Sequence, residues 1–139
     1  MRIGKLDHIG IATRDSSAAE TFYHGALGLP VESREDLESM KLRIVKIRLD
    51  GVVLELLEPL AGEDVVSRFL SSRGEGIHHL CFQVGNLTAA LRELQARGYQ
   101  AVWDVPRRGS GGAWVSFLRP KQTGGVLIEL TEPAVSSPG

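Results

Sequence analysis

LDHIGIATRDSSAAETFYHGALGL, residues 6–29, has a counterpart in HHLCFQVGNLTAALRELQARGY, residues 78–99. Setting His8 on His79, a shift of 79 − 8 = 71 residues, puts Ile9 on Leu80, Ile11 on Phe82, Asp15 on Asn86, Ser17 on Thr88 and Ala18-Ala19 on Ala89-Ala90. Self-similarity of this kind marks a structural repeat. Each copy reads as a strand, a polar helix start and an amphipathic helix. Asp15 and Asn86 carry short acceptor side chains suited to helix N-caps, and Gly28 and Gly98 mark the helix exits.

A second match closes each copy. Glu55-Leu56-Leu57-Glu58-Pro59 falls on Glu129-Leu130-Thr131-Glu132-Pro133, a shift of 129 − 55 = 74 residues. The three extra residues of the second copy are expected in the turn-rich stretch RRGSGG, Arg107 to Gly112. Between the matched ends, strands are expected near Val31–Glu35 and Lys41–Leu49. In the second copy they are expected near Gln100–Trp103, Ala113–Leu118 and Val126–Thr131. In KLRIVKIRL, Leu42 and Ile44 share one parity while Ile47 and Leu49 share the other, which predicts a bulge near Val45. Asp50-Gly51 predicts a two-residue hairpin turn. Residues 62–72 predict a connecting helix with Val65, Phe69 and Leu70 on one side. Each half is therefore strand–helix–strand–strand–strand.

The chain's 139 residues suit one domain, with module one at 5–60, a connecting helix at 61–74, module two at 75–133 and a tail at 134–139. Apolar residues make 42% and charged residues 24%, a balance that argues against disorder. Sixteen basic against seventeen acidic residues give a formal charge of −1, which argues against a general nucleic-acid or anionic-membrane binder. A single cysteine, Cys81, excludes an internal disulfide and a cysteine-based zinc cluster; it reads as a small core residue in a reducing, cytoplasmic protein. The N-terminal stretch lacks the long apolar segment of a signal peptide, and no apolar run approaches a membrane span.

The repeat turns scattered polar residues into a constellation. His8 pairs with His79 and Glu55 with Glu129, all four within otherwise apolar strand patterns: DHIGIA, HHLCFQ, VLELLE and LIELTE. A lone strand histidine is ordinarily hydrogen-bonded or at the surface, and a lone strand glutamate ordinarily faces solvent. Two related halves packed about a pseudo-twofold axis change that reading, because equivalent positions then approach one another. Four ionisable groups on one concave face need compensation for lost solvation. A divalent cation supplies it, binding neutral imidazole and carboxylate together and keeping open positions. His78, next to His79, is expected to face the other way and to act in a supporting or structural role. His24 reads as a helix-end histidine. Glu58 and Glu132, each before a proline, read as strand-end residues suited to salt bridges.

The motifs LDHIGIAT at Leu6, FYHGALGL at Phe22, LELLEPL at Leu54, GEGIHHLCFQV at Gly74 and FLRPKQTGGVLIEL at Phe117 span nearly the whole chain. In these the chain resembles the vicinal oxygen chelate superfamily (glyoxalase, bleomycin resistance and dioxygenase proteins), and within it the methylmalonyl-CoA epimerases. The resemblance implies an α+β fold: two tandem βαβββ modules forming a curved, mostly antiparallel eight-stranded sheet around a metal site. It implies His8, Glu55, His79 and Glu129 as ligands of a divalent ion, with cobalt, manganese, nickel, zinc and iron not distinguished. Related epimerases often have HPK where this chain has Arg119-Pro120-Lys121, and some place glutamine at the position of Glu55. The implied reaction is epimerisation of an acyl-CoA by α-proton transfer through a metal-stabilised enolate. Glu129 is the expected acid–base residue. A second is sought at Glu35 or Glu38 ahead of the third strand, with Glu38 taken for the opposite face. A homodimer is expected, with an acyl-CoA as the small-molecule partner.

Two other readings share the scaffold. A glyoxalase I-type lactoylglutathione lyase would use the same ligand set, so only the flanking motifs favour the epimerase. A non-catalytic small-molecule-binding module would typically lack the quartet. A ring-cleaving dioxygenase ranks below both, since it needs redox-active iron and usually more repeats.

Overall fold

The alternating apolar runs and capped helices of the repeat fold as β1 (Ile3–Ala12), α1 (Ser16–Glu20), β2 (Val31–Leu37), β3 (Leu42–Leu49), β4 (Val52–Pro59), α2 (Val65–Arg73), β5 (Gly76–Val84), α3 (Leu87–Ala96), β6 (Arg107–Arg108), β7 (Trp114–Phe117) and β8 (Ile128–Glu132). The structure is a computed structural model and describes residues 1–62 and 64–135; of the expected tail, residues 136–139 lie outside the described residues. The order is βαβββ twice, joined by α2, as the repeat predicts. The strands hydrogen-bond in the sequence β2-β3-β4-β1-β5-β8-β7-β6. Pairs β1–β4 and β5–β8 are parallel, and β2–β3, β3–β4, β6–β7 and β7–β8 are antiparallel. Contacts divide the chain into two units, His8–His79 and Met1–Asp7 with the chain from Leu80 onward; β1 and β5 each run through both.

In the unit His8–His79, the strands carry apolar side chains on both faces. Ala12, Leu42, Ile44 and Leu57 pack under Val66 and Leu70 of α2. Val45, Ile47 and Leu56 pack on the other face with Ala19, Tyr23 and Leu29. Side chains alternate along a strand, so the Ala12–Leu57 face also presents His8, Gly10 and Glu55. Helix α2 thus covers one end of this face, and the ionisable residues occupy the rest. Asp15 caps α1, accepting from the Ser17 and Ala18 N–H groups at 3.0 and 3.2 Å. The helix then widens into a π-turn over Thr21–Ala26, which the sequence pattern did not indicate, and leaves through Gly28 at φ 75°. His24 stands in that last turn, with Nδ1 donating to the Leu29 carbonyl at 2.7 Å.

In the unit that includes the chain from Leu80, Val84, Leu87, Ala90 and Leu130 form the core, with Phe82 and Leu94 against it. Asn86 caps α3 through the Ala89 N–H at 2.9 Å, and Gly98 ends it at φ 94°. Glu58 and Glu132 do more than the expected strand-end salt bridge. Glu58 accepts from the Ser16 N–H at 2.7 Å, at the first residue of α1. Glu132 accepts from the Leu87 N–H at 2.8 Å, at the first residue of α3. Each satisfies a helical N–H that has no intrahelical partner and sets a negative charge at the positive end of the helix dipole. Glu58 also meets Arg43 at 3.4 Å, so the expected ion pair is present there as well.

Three expectations are corrected. Pairing of β3 with β4 runs without a slip from Leu42–Pro59 to Leu49–Val52, so there is no bulge near Val45; the register shift falls in β2, between Val31 and Ser33. The parity change of KLRIVKIRL arises because the two cores lie over different stretches of β3, one on each face. The buried pair on α2 is Val66 and Leu70, while Val65 is 50% exposed, because a helix starting after Asp64 turns positions 66 and 70 inward. The expected strand at Gln100–Trp103 is a single bridge, Ala101 to Leu118, and pairing with β7 is taken up instead by Arg107-Arg108. Pro106 lacks an N–H for a ladder, and Trp103 turns edge-on to Phe117 while Arg107 stacks over its ring at 4.2 Å.

Leu56 is fully buried. Leu56→Ala is expected to cost about 2–5 kcal/mol of unfolding free energy, read from the midpoint of a urea transition. An unchanged midpoint would contradict the core assignment.

Candidate metal centre

The repeat seen in the sequence reappears as a repeat of register. Gly10, two residues after His8, pairs with Glu55 across β1 and β4. Cys81, two residues after His79, pairs with Glu129 across β5 and β8. Paired residues share a face, and so do residues two apart on one strand. Each histidine is therefore on the same strand face as its module's glutamate, set by backbone pairing alone.

Within the unit His8–His79, two of the expected ligands, His8 and His79, face each other, and a third, Glu55, stands beside His8 at its other ring nitrogen. The Nε2 atoms of His8 and His79 lie 3.0 Å apart, with the rings edge to face. Glu55 Oε2 is 3.2 Å from His8 Nδ1. His8, Glu55 and His79 are each no more than 5% exposed. The ring of His79 lies over Gly10: a Cβ at Gly10 would stand 2.2 Å from His79 Cε1 and 2.5 Å from Nδ1, so only glycine fits. Glu129 is equally buried, on β8 opposite Cys81 and Phe117. Cys81 is fully buried, as a small core residue should be.

The donor set fits a divalent cation. When His8 Nδ1 carries its proton toward the Glu55 carboxylate, its Nε2 presents a lone pair. The second Nε2 stands 3.0 Å away: a proton between the two makes a hydrogen bond, and a cation in the proton's place would take a lone pair from each ring. Carboxylate oxygen and imidazole nitrogen together suit borderline first-row ions. Two nitrogens 3.0 Å apart also match two neighbouring sites of a six-coordinate ion with bonds of about 2.1 Å.

Glu38 is not part of this cluster. It stands exposed in the turn between β2 and β3, its carbonyl accepting from the Lys41 N–H at 3.2 Å. Glu35 is half-buried on β2 and pairs with Ile44, which pairs with Leu57, which pairs with Ala12; that places it on the face that carries Glu55 and His8. His78 was expected to turn away from the site, yet its Nδ1 is 2.9 Å from His79 Nδ1. The adjacent pair His78-His79 was the available signal; strand alternation concealed it.

The model of the glyoxalase/bleomycin resistance protein/dioxygenase superfamily matches residues 7–117, and the chain belongs to that superfamily. Within it, the chain is 34% identical to the ethylmalonyl-CoA/methylmalonyl-CoA epimerase of Cereibacter sphaeroides over 132 residues, covering 94% of this chain and 98% of the relative. It is 33% identical to the mitochondrial methylmalonyl-CoA epimerase of Mus musculus, covering 94% and 74% of the two chains. Among solved structures, the Streptomyces coelicolor methylmalonyl-CoA epimerase in complex with 2-nitronate-propionyl-CoA superposes with a TM-score of 0.91 at 35% identity, covering 96% of this chain and all of that one.

Gly10→Ala adds one methyl group where the His79 ring lies. The variant is expected to fold, with an unchanged far-ultraviolet circular dichroism spectrum, and to lose at least about 10-fold in affinity for added cobalt(II). Wild-type affinity in that variant would mean that His79 does not contribute to metal binding from this position.

Proposed function

We propose that this chain epimerises methylmalonyl-CoA, or a close acyl-CoA, at a divalent metal held by His8, Glu55, His79 and Glu129. The observation that carries the reading is the buried His8–His79 pair with its Nε2 atoms 3.0 Å apart, in a chain that aligns along nearly its whole length with methylmalonyl-CoA epimerases. The register equivalence of Gly10–Glu55 and Cys81–Glu129 supports the second glutamate as a member of the set. Glu55 also holds the ring of His8, so one carboxylate has two tasks.

A bound divalent cation supplies positive charge to the substrate's carbonyl and carboxylate oxygens, which makes the α-proton easier to remove. The chain's own residues move the proton. Glu129 takes it from the α-carbon: the C–H bond breaks, its electron pair passes toward the thioester carbonyl, and the carboxylate becomes a carboxylic acid. Return of a proton to the opposite face of that carbon completes epimerisation and needs an acid on the other side. Glu35 suits this role better than Glu38, because its strand position aims it at the site's face while Glu38 stands in a turn. The apolar cover of α2 over Ala12, Ile44 and Leu57 limits water on one flank of the site.

The same reading takes the whole chain as one domain of two modules, 5–60 and 75–133, working as a homodimer in the cytoplasm. The sheet order supports a dimer, since it ends in β2 and β6, strands that offer backbone groups to a partner. A monomer at all working concentrations by light scattering would remove the dimer from the reading.

Incubation with methylmalonyl-CoA in deuterated water is expected to exchange the α-proton, and a chelator should stop the exchange. With metal saturating, Glu129→Gln is expected to lower kcat by about 10²–10⁴ with little change in KM. Glu35→Gln should slow turnover strongly and Glu38→Gln little; the reverse pattern would restore Glu38 to the mechanism. Turnover of the glutathione hemithioacetal with no exchange into the malonyl thioester would establish the lyase instead.

A further inference from the structure

His79 has a polar contact at each ring nitrogen. Nε2 meets His8 Nε2 at 3.0 Å, and Nδ1 meets Nδ1 of His78 at 2.9 Å. A contact of the second kind between neutral rings needs one donor and one acceptor. Metal binding at His79 Nε2 requires that the ring's single proton sit on Nδ1. Both conditions have one joint solution. His79 Nδ1–H donates, His78 Nδ1 accepts, and His78 carries its own proton on Nε2.

We infer that His78 is a positioning residue of the metal centre, fixing the tautomer and tilt of His79 so that its Nε2 lone pair points to the place it shares with His8. This rests on the metal-site reading above. The orientation of His78 is itself held from outside the strand. Its ring is buried and stands edge to face against Phe69 of α2, with centroids 5.1 Å apart at 82°. Phe69 in turn packs against the core that includes Ala12, Ile44 and Leu57. The His79 ring is thus bounded on three sides: Gly10 lies beneath it, His8 faces Nε2, and His78 accepts at Nδ1. The helix that joins the two modules in sequence thereby supports one ligand through a single intervening ring.

The two histidine ligands obtain the same tautomer by different means. His8 Nδ1 is held by the Glu55 carboxylate, a partner from the neighbouring strand. His79 Nδ1 is held by its own chain neighbour. At the position equivalent to His78, 78 − 71 = 7, the first copy has Asp7, which accepts instead from Gln83 Nε2 at 2.7 Å. The His78 contact is therefore not a repeat feature, which fits a task peculiar to the second histidine. A partner that fixes a ligand's tautomer in this way typically carries about 10–100-fold of metal affinity.

Cobalt(II) titration of the full chain, followed by visible absorption and by competition with a chelator, tests the assignment. His78→Leu removes the acceptor and is expected to weaken cobalt binding about 10–100-fold and to change the visible band. His78→Asn places Oδ1 near the position of Nδ1 and is expected to stay within about threefold of wild type. Equal affinity and an unchanged band in His78→Leu would overturn the positioning role while leaving the metal site standing. Wild-type chain that takes up no cobalt would overturn both. Should His78→Leu fail to fold, long-range proton–nitrogen NMR of the zinc-loaded wild type decides: Nδ1–H on His79 with Nε2–H on His78 supports the role, and Nδ1–H on His78 overturns it.

Discussion

Two imidazole nitrogens held 3.0 Å apart in a water-poor setting must share either a proton or a cation, and the surrounding structure has to hold both rings to that geometry. Much of the unit His8–His79 can be understood from that requirement. β1 and β4 run parallel with Gly10 opposite Glu55, which sets the Glu55 carboxylate beside Nδ1 of His8. Gly10 gives up a side chain so that His79 can lie flat against β1. Ala12, Leu57 and Ile44 continue the same face with apolar groups and give α2 something to pack on. The opposite face of the same strands is closed by α1 and the π-turn. One sheet face is thereby split along its length into a polar part and an apolar part, and the apolar part supplies the free energy that keeps the polar part out of water.

The fold was legible because it is written twice. A strand, a helix cap and a glutamate before a proline are weak signals once, but the same three at shifts of 71 and 74 residues define two modules. Asp15, Asn86, Gly28 and Gly98 could be placed by their local chemistry, since a capping acceptor or a left-handed glycine depends on few neighbours. Where the reading slipped, the cause was tertiary. KLRIVKIRL has two parities because two different cores lie over it, which periodicity within a single strand cannot reveal. The second copy lost its strand at Gln100–Trp103 because Trp103, Phe117 and Arg107 form their own stack. Glu58 and Glu132 looked like strand ends and act as partners for helix N-termini, a contact that spans 42 residues in one case and 45 in the other.

The candidate site was legible to the same depth. The repeat picked out His8, Glu55, His79 and Glu129 because it ignores every polar residue without a counterpart. That filter also hid what has no counterpart. His78 and Gly10 are singular, the first matched by Asp7 and the second by Cys81, so pairing passed over Gly10, and it left His78 with a supporting role but with its ring turned the wrong way. Glu35 needed the register of four strands before its face could be known. Symmetry marks the candidate ligands, and departures from symmetry mark the groups around them.

Gly10 and Cys81 occupy equivalent places, yet one has no side chain and the other has a thiol. If the modules descend from a single ancestral segment, a symmetric dimer of that segment would have had the same residue at both places. A side chain at both places would have left no room for a ring such as that of His79. Fusion into one chain lifts that restriction, because each copy can then drift alone. The bare position beneath one histidine and the filled one in the other copy are the kind of specialisation open to a fused pair and closed to identical subunits. For a designer the lesson is practical: joining two copies of the half that carries Cys81 would reproduce the candidate ligands and lose the glycine on which His79 is seated.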